Sequence, residues 1–176
     1  METPKDETPS SIHIAIVGPC KVGKSTILKK VIENKFEHEY IPTKLGDVGN
    51  FDSNDGRYRF SIWDASGDEK QQSTTKTYCK RVNILVVVFD VTSKESFDKV
   101  ERYYFDMRDS DLDNRQELLI GNKNDLAHRV VTFAEGQKFA HEHNMTYLDI
   151  SAKEDDHQKL KDKFIELAKK IEYLEA

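Results

Sequence analysis

The chain lacks the features that would set it apart from an ordinary cytoplasmic protein. It has two cysteines in 176 residues, Cys20 and Cys79, with no metal-ligand spacing between them. Neither a disulfide framework nor a zinc module can be built from such a pair, and a reduced intracellular setting is expected. Long hydrophobic runs are missing too. No stretch approaches the roughly 18 apolar residues of a membrane-spanning helix, and the opening METPKDETPSS has no apolar signal-peptide core. Basic excess is also absent: 27 Lys and Arg against 32 Asp and Glu leave a net charge of −5, which argues against a nucleic-acid partner. There is no internal repeat. Asn144-Met145-Thr146 fits a glycosylation sequon, without meaning in a cytosolic chain.

What is present is enough apolar sequence, 37%, for one real core and one domain. Ile12–Val17 is a short β-branched run ending at Gly18 and reads as a buried strand. A helix pattern follows from about Ser25 to Asn34, with Ile27, Leu28, Val31 and Ile32 at helical spacing. Residues 36–50 carry Pro42, Gly46 and Gly49 and read as a loop. Asn54-Asp55-Gly56 is a hairpin-turn signal with Tyr58–Trp63 as the returning strand, while Asp47–Ser53 is too polar to give a firm strand signal. Asn83–Val91 is the strongest buried strand; Leu118–Ile120 and Met145–Ile150 are shorter ones. Helical periodicity recurs near 94–108, 132–143 and 157–174. Strands alternating with helices predict an α/β fold, a mostly parallel six-stranded sheet with helices on both faces, over residues 12–176. Residues 1–11 read as a disordered tail. Ligands of such sheets bind at the carboxyl ends of the strands, and each motif below falls at such an end.

Gly18-Pro19-Cys20-Lys21-Val22-Gly23-Lys24-Ser25 fits G-x-x-x-x-G-K-[ST] between a strand and a helix. Successive backbone N–H groups there can cradle phosphate, with the helix N-terminus behind them. Lys24 would reach the β- and γ-phosphates, and the Ser25 hydroxyl Mg²⁺. Lys21 is an extra charge, placed to touch phosphate or to sit in solvent. Asp64 ends the Tyr58–Trp63 strand, where a carboxylate can hold Mg²⁺ through water; Ala65, Ser66 and Gly67 after it let the backbone approach a γ-phosphate. Asn122-Lys123-Asn124-Asp125 fits N-K-x-D. Guanine offers two adjacent N–H donors that one carboxylate, Asp125, can accept, and adenine does not. Sites built on such bonds discriminate by about 10⁴-fold or more. Ser151-Ala152-Lys153 closes the last strand: a small residue there brings a backbone N–H to guanine O6, and the Lys stem covers one face of the base. Phe36 either covers the other face or packs in the core. His141 and His143, two apart on a helix, read as solvated surface residues.

Together and in this order, these residues resemble the Ras superfamily of small GTPases, most closely its Rab branch, from Ile12 to about Leu174. Further shared wording is Tyr40-Ile41-Pro42-Thr43, Ile62-Trp63-Asp64, Phe89-Asp90-Val91-Thr92 with Glu95-Ser96-Phe97, Gly121 to Leu126, and Ser151-Ala152-Lys153-Glu154. The resemblance implies a P-loop NTPase G domain that binds GTP and GDP with Mg²⁺. In it Gly18, Cys20, Lys21, Val22, Gly23, Lys24, Ser25 and Thr26 surround the phosphates. Thr43 becomes a switch threonine, its hydroxyl on Mg²⁺ and its N–H on the γ-phosphate, and the Gly67 N–H is a second γ-phosphate contact. Loops near 36–48 and 64–78 would order and relax with nucleotide state, and effector and exchange-factor proteins would bind through residues 36–51 and 64–78. The setting implied is cytoplasmic, with recruitment to intracellular membranes in vesicle traffic.

The departures are as informative. The family's usual D-T-A-G-Q is here Asp64-Ala65-Ser66-Gly67-Asp68, Lys44-Leu45 follows Thr43 in place of Ile-Gly, and the span from Thr43 to Asp64 is a residue or two short. Of the Rab aromatic triad Trp63 and Tyr78 remain, with Val48 where a Phe is expected and Phe51 a candidate substitute. The sequence ends Glu172-Tyr173-Leu174-Glu175-Ala176, without the cysteine-bearing tail that prenylation uses, so either a longer chain or a protein without its own anchor is expected.

Asp68 stands where a Gln orients the attacking water through one acceptor and one donor. An ionised Asp is shorter, has no donor, and would meet the γ-phosphate at a cost of about 4 kcal/mol at about 4 Å and an effective dielectric near 20. Asp68 is therefore expected to turn toward solvent, Lys70 or Lys76, leaving hydrolysis very slow. Ser66 is expected to crowd the γ-phosphate, and no Arg is placed to act as an internal finger. Two rival readings follow. One is a nucleotide-bound pseudo-switch acting as a scaffold. The other is a P-loop ATPase or small-molecule kinase, against which Asp125 and Ser151-Ala152-Lys153 speak.

Overall fold

The computed structural model describes residues 8–39, 43–44, 46–108 and 114–175. Strand β1 (Ser10–Val17) runs centrally between β3 (Tyr58–Asp64) and β4 (Ile84–Asp90), parallel to both. The parallel ladder continues outward through β5 (Gln116–Asn122) to β6 (Thr146–Asp149). On the other side β2 (Asp47–Asp52) pairs antiparallel with β3, giving the order β2-β3-β1-β4-β5-β6.

Alternation along the central strands divides the apolar residues into two cores. Ile12, Ile14 and Ile16 of β1, with Ile84, Val86 and Val88 of β4, face a layer formed by α1 (Lys24–Glu33) and α6 (His157–Glu175). Ala15, Val17, Leu85, Val87 and Phe89 face the opposite layer, formed by α2 (Gln72–Cys79), α4 (Val100–Met107) and α5 (Phe133–Glu142). All seven residues of β4 are buried, as a parallel strand covered on both faces must be. Thr132 caps α5 with Glu135 in a reciprocal capping box.

The structure departs from the sequence reading in several places. Ser10 and Ser11, read as tail, pair with Tyr58 and Arg59 and begin β1. Asp47–Ser53, too polar for a firm strand signal and overlapping the loop read over 36–50, contains β2; its polar residues lie on an exposed edge, so its backbone ladder rather than its side chains defines it. Gly49 makes that strand possible: a Cβ there would sit 2.5 Å from the Ile32 side chain and 2.9 Å from that of Leu28, so only glycine lets β2 lie against α1. The single helix pattern near 94–108 is two helices, α3 (Lys94–Asp98) and α4, with Lys99 between them. Helix α2 has the polar sequence QSTTKTYC, with only Thr75 and Cys79 buried, too weak an apolar face to give a periodic signal. His143 is not simply solvated: it ends α5 among the rings of Phe139, Tyr104 and Phe105, 4.4–5.5 Å away. Phe51 does not rebuild the aromatic triad. Three residues from Val48, it lies on the other face of β2 and stacks on Phe60 at 4.5 Å. Tyr40, Ile41, Pro42 and Leu45 lie outside the described residues.

Candidate nucleotide site

The carboxyl ends of β1, β3, β4 and β5 open into one cleft of about 1820 Å³, lined by most of the residues the motifs single out. Cys20, Lys21, Val22, Gly23, Lys24, Ser25 and Thr26 border it on one side, Asn122, Lys123, Asp125, Ala152 and Lys153 at the other end, and Phe36, Thr43, Gly67 and Asp68 along the rim. Phe36 is half-buried and packs edge-on against His38, at the cleft rather than in the core.

After β1 the backbone turns through positive φ at Gly18, Lys21 and Gly23, the alternation that points successive N–H groups inward. Lys24 is buried, and its ammonium donates to the Pro19 carbonyl at 2.8 Å. Burial holds the Lys24 ammonium below the usual lysine range, with Asp64 opposing that shift. Asp64 is fully buried. Burial raises its carboxyl, partly offset by the Ser25 hydroxyl and the Lys24 charge.

The three residues expected at a metal come together. The Ser25 hydroxyl donates to Asp64 Oδ2, Ser25 Oγ and Thr43 Oγ1 share a bond of 2.8 Å, and Thr43 Oγ1 lies 3.5 Å from the same carboxylate oxygen. Asp64 Oδ1 is buried and has no partner among the described residues. A buried carboxylate oxygen without a donor is costly. With two hydroxyls beside it, this hard-oxygen set fits Mg²⁺, which keeps several waters and takes few protein ligands.

Gly67 closes on the phosphate loop. A Cβ there would meet the Cys20 nitrogen at 2.7 Å and Lys24 Nζ at 2.8 Å, so the chain passes where no other residue fits. The Tyr103 hydroxyl, which burial pushes up to about 12, donates to the Gly67 carbonyl at 3.4 Å. Asp68 is exposed, and its carboxylate accepts the Lys70 N–H at 3.0 Å, capping the 3₁₀ turn Glu69–Gln71. This is the outward turn expected from its charge. The Ser66 hydroxyl donates to the Thr43 carbonyl at 2.8 Å and accepts from the Asp68 N–H at 3.2 Å.

At the base end, Asp125 faces the cleft and accepts from the Ser151 hydroxyl at 2.7 Å. Asn122 joins three segments: its amide donates to the Val22 carbonyl at 2.9 Å and its oxygen accepts the Ala152 N–H at 3.0 Å. Of the backbone N–H groups in the Ser151-Ala152-Lys153 run expected near guanine O6, that of Ala152 is given to Asn122 and that of Ser151 to Asp155 at 3.1 Å. The tight turn after β6 brings both to these side chains. Lys123 donates to the Lys21 carbonyl at 2.7 Å and to Asp90 at 2.6 Å. The sequence reading quoted Asp90 as shared wording but gave it no role, although it ends β4 in the same way that Asp64 ends β3. It missed Asp149, which accepts from Asn124 at 2.9 Å and from Tyr147 at 2.9 Å and pairs with Arg129.

A phosphate loop after the central strand and an Asn-Lys-x-Asp corner two strands away define a G domain of the Ras-like P-loop class. Comparisons agree. The Ras family model matches residues 13–173. Ras-related protein SEC4 of Saccharomyces cerevisiae is 32% identical over 165 residues, 93% of this chain and 76% of the relative. Ras-related protein Rab-18 of Lymnaea stagnalis is 32% identical over 155 residues, 86% and 77%. The GTP-binding protein yptV2 of Volvox carteri is 31% identical over 164 residues, 91% and 75%. The chain belongs to the Ras family and is a Rab-like small GTPase.

Proposed function

We propose that the protein is a Mg²⁺-dependent GTP/GDP switch whose own GTP hydrolysis is very slow. The observation that carries the slow rate is Asp68, exposed and occupied in capping Lys70. In hydrolysis a water oxygen attacks the γ-phosphorus as the bond to the GDP oxygen breaks. Lys24 and the backbone N–H groups from Cys20 to Ser25 would hold the phosphate oxygens, with the Thr43 and Gly67 N–H groups at the γ-phosphate. Nothing at position 68 orients the water. Ser25, Thr43 and Asp64 would hold Mg²⁺, which supplies positive charge to the phosphates. Asp125 would accept the guanine N1 and N2 hydrogens, with Phe36 and the Lys153 stem on the two faces of the base.

The name of the Volvox relative, a GTP-binding protein, supports the ligand. The Rab-type relatives support action in vesicle traffic on intracellular membranes. Effectors and exchange factors would bind through residues 36–51 and 64–78, where Val48 and Tyr78 are exposed beside Trp63, Tyr78 stacking on its indole at 4.4 Å. Identifying the nucleotide that copurifies tests the assignment. Guanine nucleotide, released faster when EDTA removes Mg²⁺, is the expected result; adenine nucleotide or none contradicts it.

A further inference from the structure

The two segments that flank the γ-phosphate position are joined by the side chain of Ser66, one of the positions at which the chain departs from the family's D-T-A-G-Q. Ser66 is 6% exposed, and both capacities of its hydroxyl are used: the proton goes to the Thr43 carbonyl at 2.8 Å and a lone pair takes the Asp68 N–H at 3.2 Å. Thr43 is thereby held from two sides, its carbonyl by Ser66 and its hydroxyl by Ser25 at 2.8 Å. Gly67, next to Ser66, is held in turn by the Tyr103 hydroxyl of α4. A continuous path runs from α4 through Gly67, Ser66 and Thr43 to Ser25 on α1. Alanine at position 66 could make neither of the serine's bonds.

We propose that Ser66 is a positioning residue that latches Thr43 to the 64–68 segment. It thereby makes the protein prefer nucleoside triphosphate over diphosphate. The inference rests on the reading that Thr43 and Gly67 close on the γ-phosphate. In the diphosphate state the segments have no common ligand, and the latch adds nothing to affinity. In the triphosphate state it holds the two γ-phosphate contacts in register. Combined with a position 68 that does not orient water, the latch biases the protein toward a long-lived triphosphate-bound form.

Ser66→Ala tests this, since it removes one oxygen and adds no bulk. Release of fluorescent GDP and of a fluorescent non-hydrolysable GTP analogue is timed with Mg²⁺ present, for wild type and variant. The expected result is analogue release about three- to tenfold faster, the worth of one hydrogen bond, with GDP release unchanged. Equal release from wild type and variant for both nucleotides overturns the latch, and so does an equal acceleration of both. A wild-type protein that cannot be loaded with either nucleotide removes the underlying reading as well, and the loading step distinguishes that case.

Discussion

At the base end of the cleft, functional side chains are fixed by neighbours from other segments of the chain: Asn122 between the phosphate loop and Ala152, Lys123 between Lys21 and Asp90, Asp125 by Ser151. At the γ-phosphate end, the fixing is done by the hydroxyls of Ser25, Ser66 and Tyr103, and the residue at the water-orienting position faces away. A corner braced by several charged and amide bonds holds its shape without ligand. One braced by single hydroxyls on backbone carbonyls, those of Ser66 and Tyr103, at about 1 kcal/mol each, shifts with what is bound. On the function proposed above, the base end would hold the nucleotide and the γ-phosphate end would distinguish its phosphate number by small energies.

Substitutions can break this contrast. Asp125→Asn has the largest expected effect, a loss of about 10²–10⁴-fold in GDP affinity by titration, because an amide cannot accept both guanine donors. Unchanged affinity would remove the base-site assignment. Asp149→Asn is expected to lower stability by about 1–3 kcal/mol in denaturant unfolding, since it weakens hydrogen bonds to a charged group beneath the Asn124 loop. Burial raises the Asp149 carboxyl, but the bonds from Arg129, Asn124 and Tyr147 outweigh it and hold the group below the usual carboxylate range. Its contribution is therefore present above that range and is lost as pH falls below it, so wild type and variant should converge in acid. Asp68→Gln is expected to speed single-turnover hydrolysis roughly tenfold, one hydrogen bond's worth in the transition state; no change would place the limit elsewhere in the switch. Ser66→Ala, a severalfold effect on triphosphate release, is the smallest.

The same contrast explains what could be read in advance. The phosphate loop and the Asn-Lys-x-Asp corner are contiguous runs tied to strand ends, so residue order alone exposes them. Asp68 was legible from charge, because a carboxylate facing phosphate is unfavourable at any fine geometry. Ser66 to Thr43, Tyr103 to Gly67 and Arg129 to Asp149 span 23, 36 and 20 residues and follow no local period. Only the folded sheet brings them together. Strand β2 and helix α2 were hidden because their stability lies in backbone pairing and one or two buried residues, not in an apolar pattern.

Single-turnover hydrolysis of [γ-³²P]GTP by the wild-type protein tests the central claim most directly. A rate well below that of an ordinary small GTPase carrying Gln at the position of Asp68 is the result expected. A rate equal to it would show that water is oriented without that side chain, and would contradict the account.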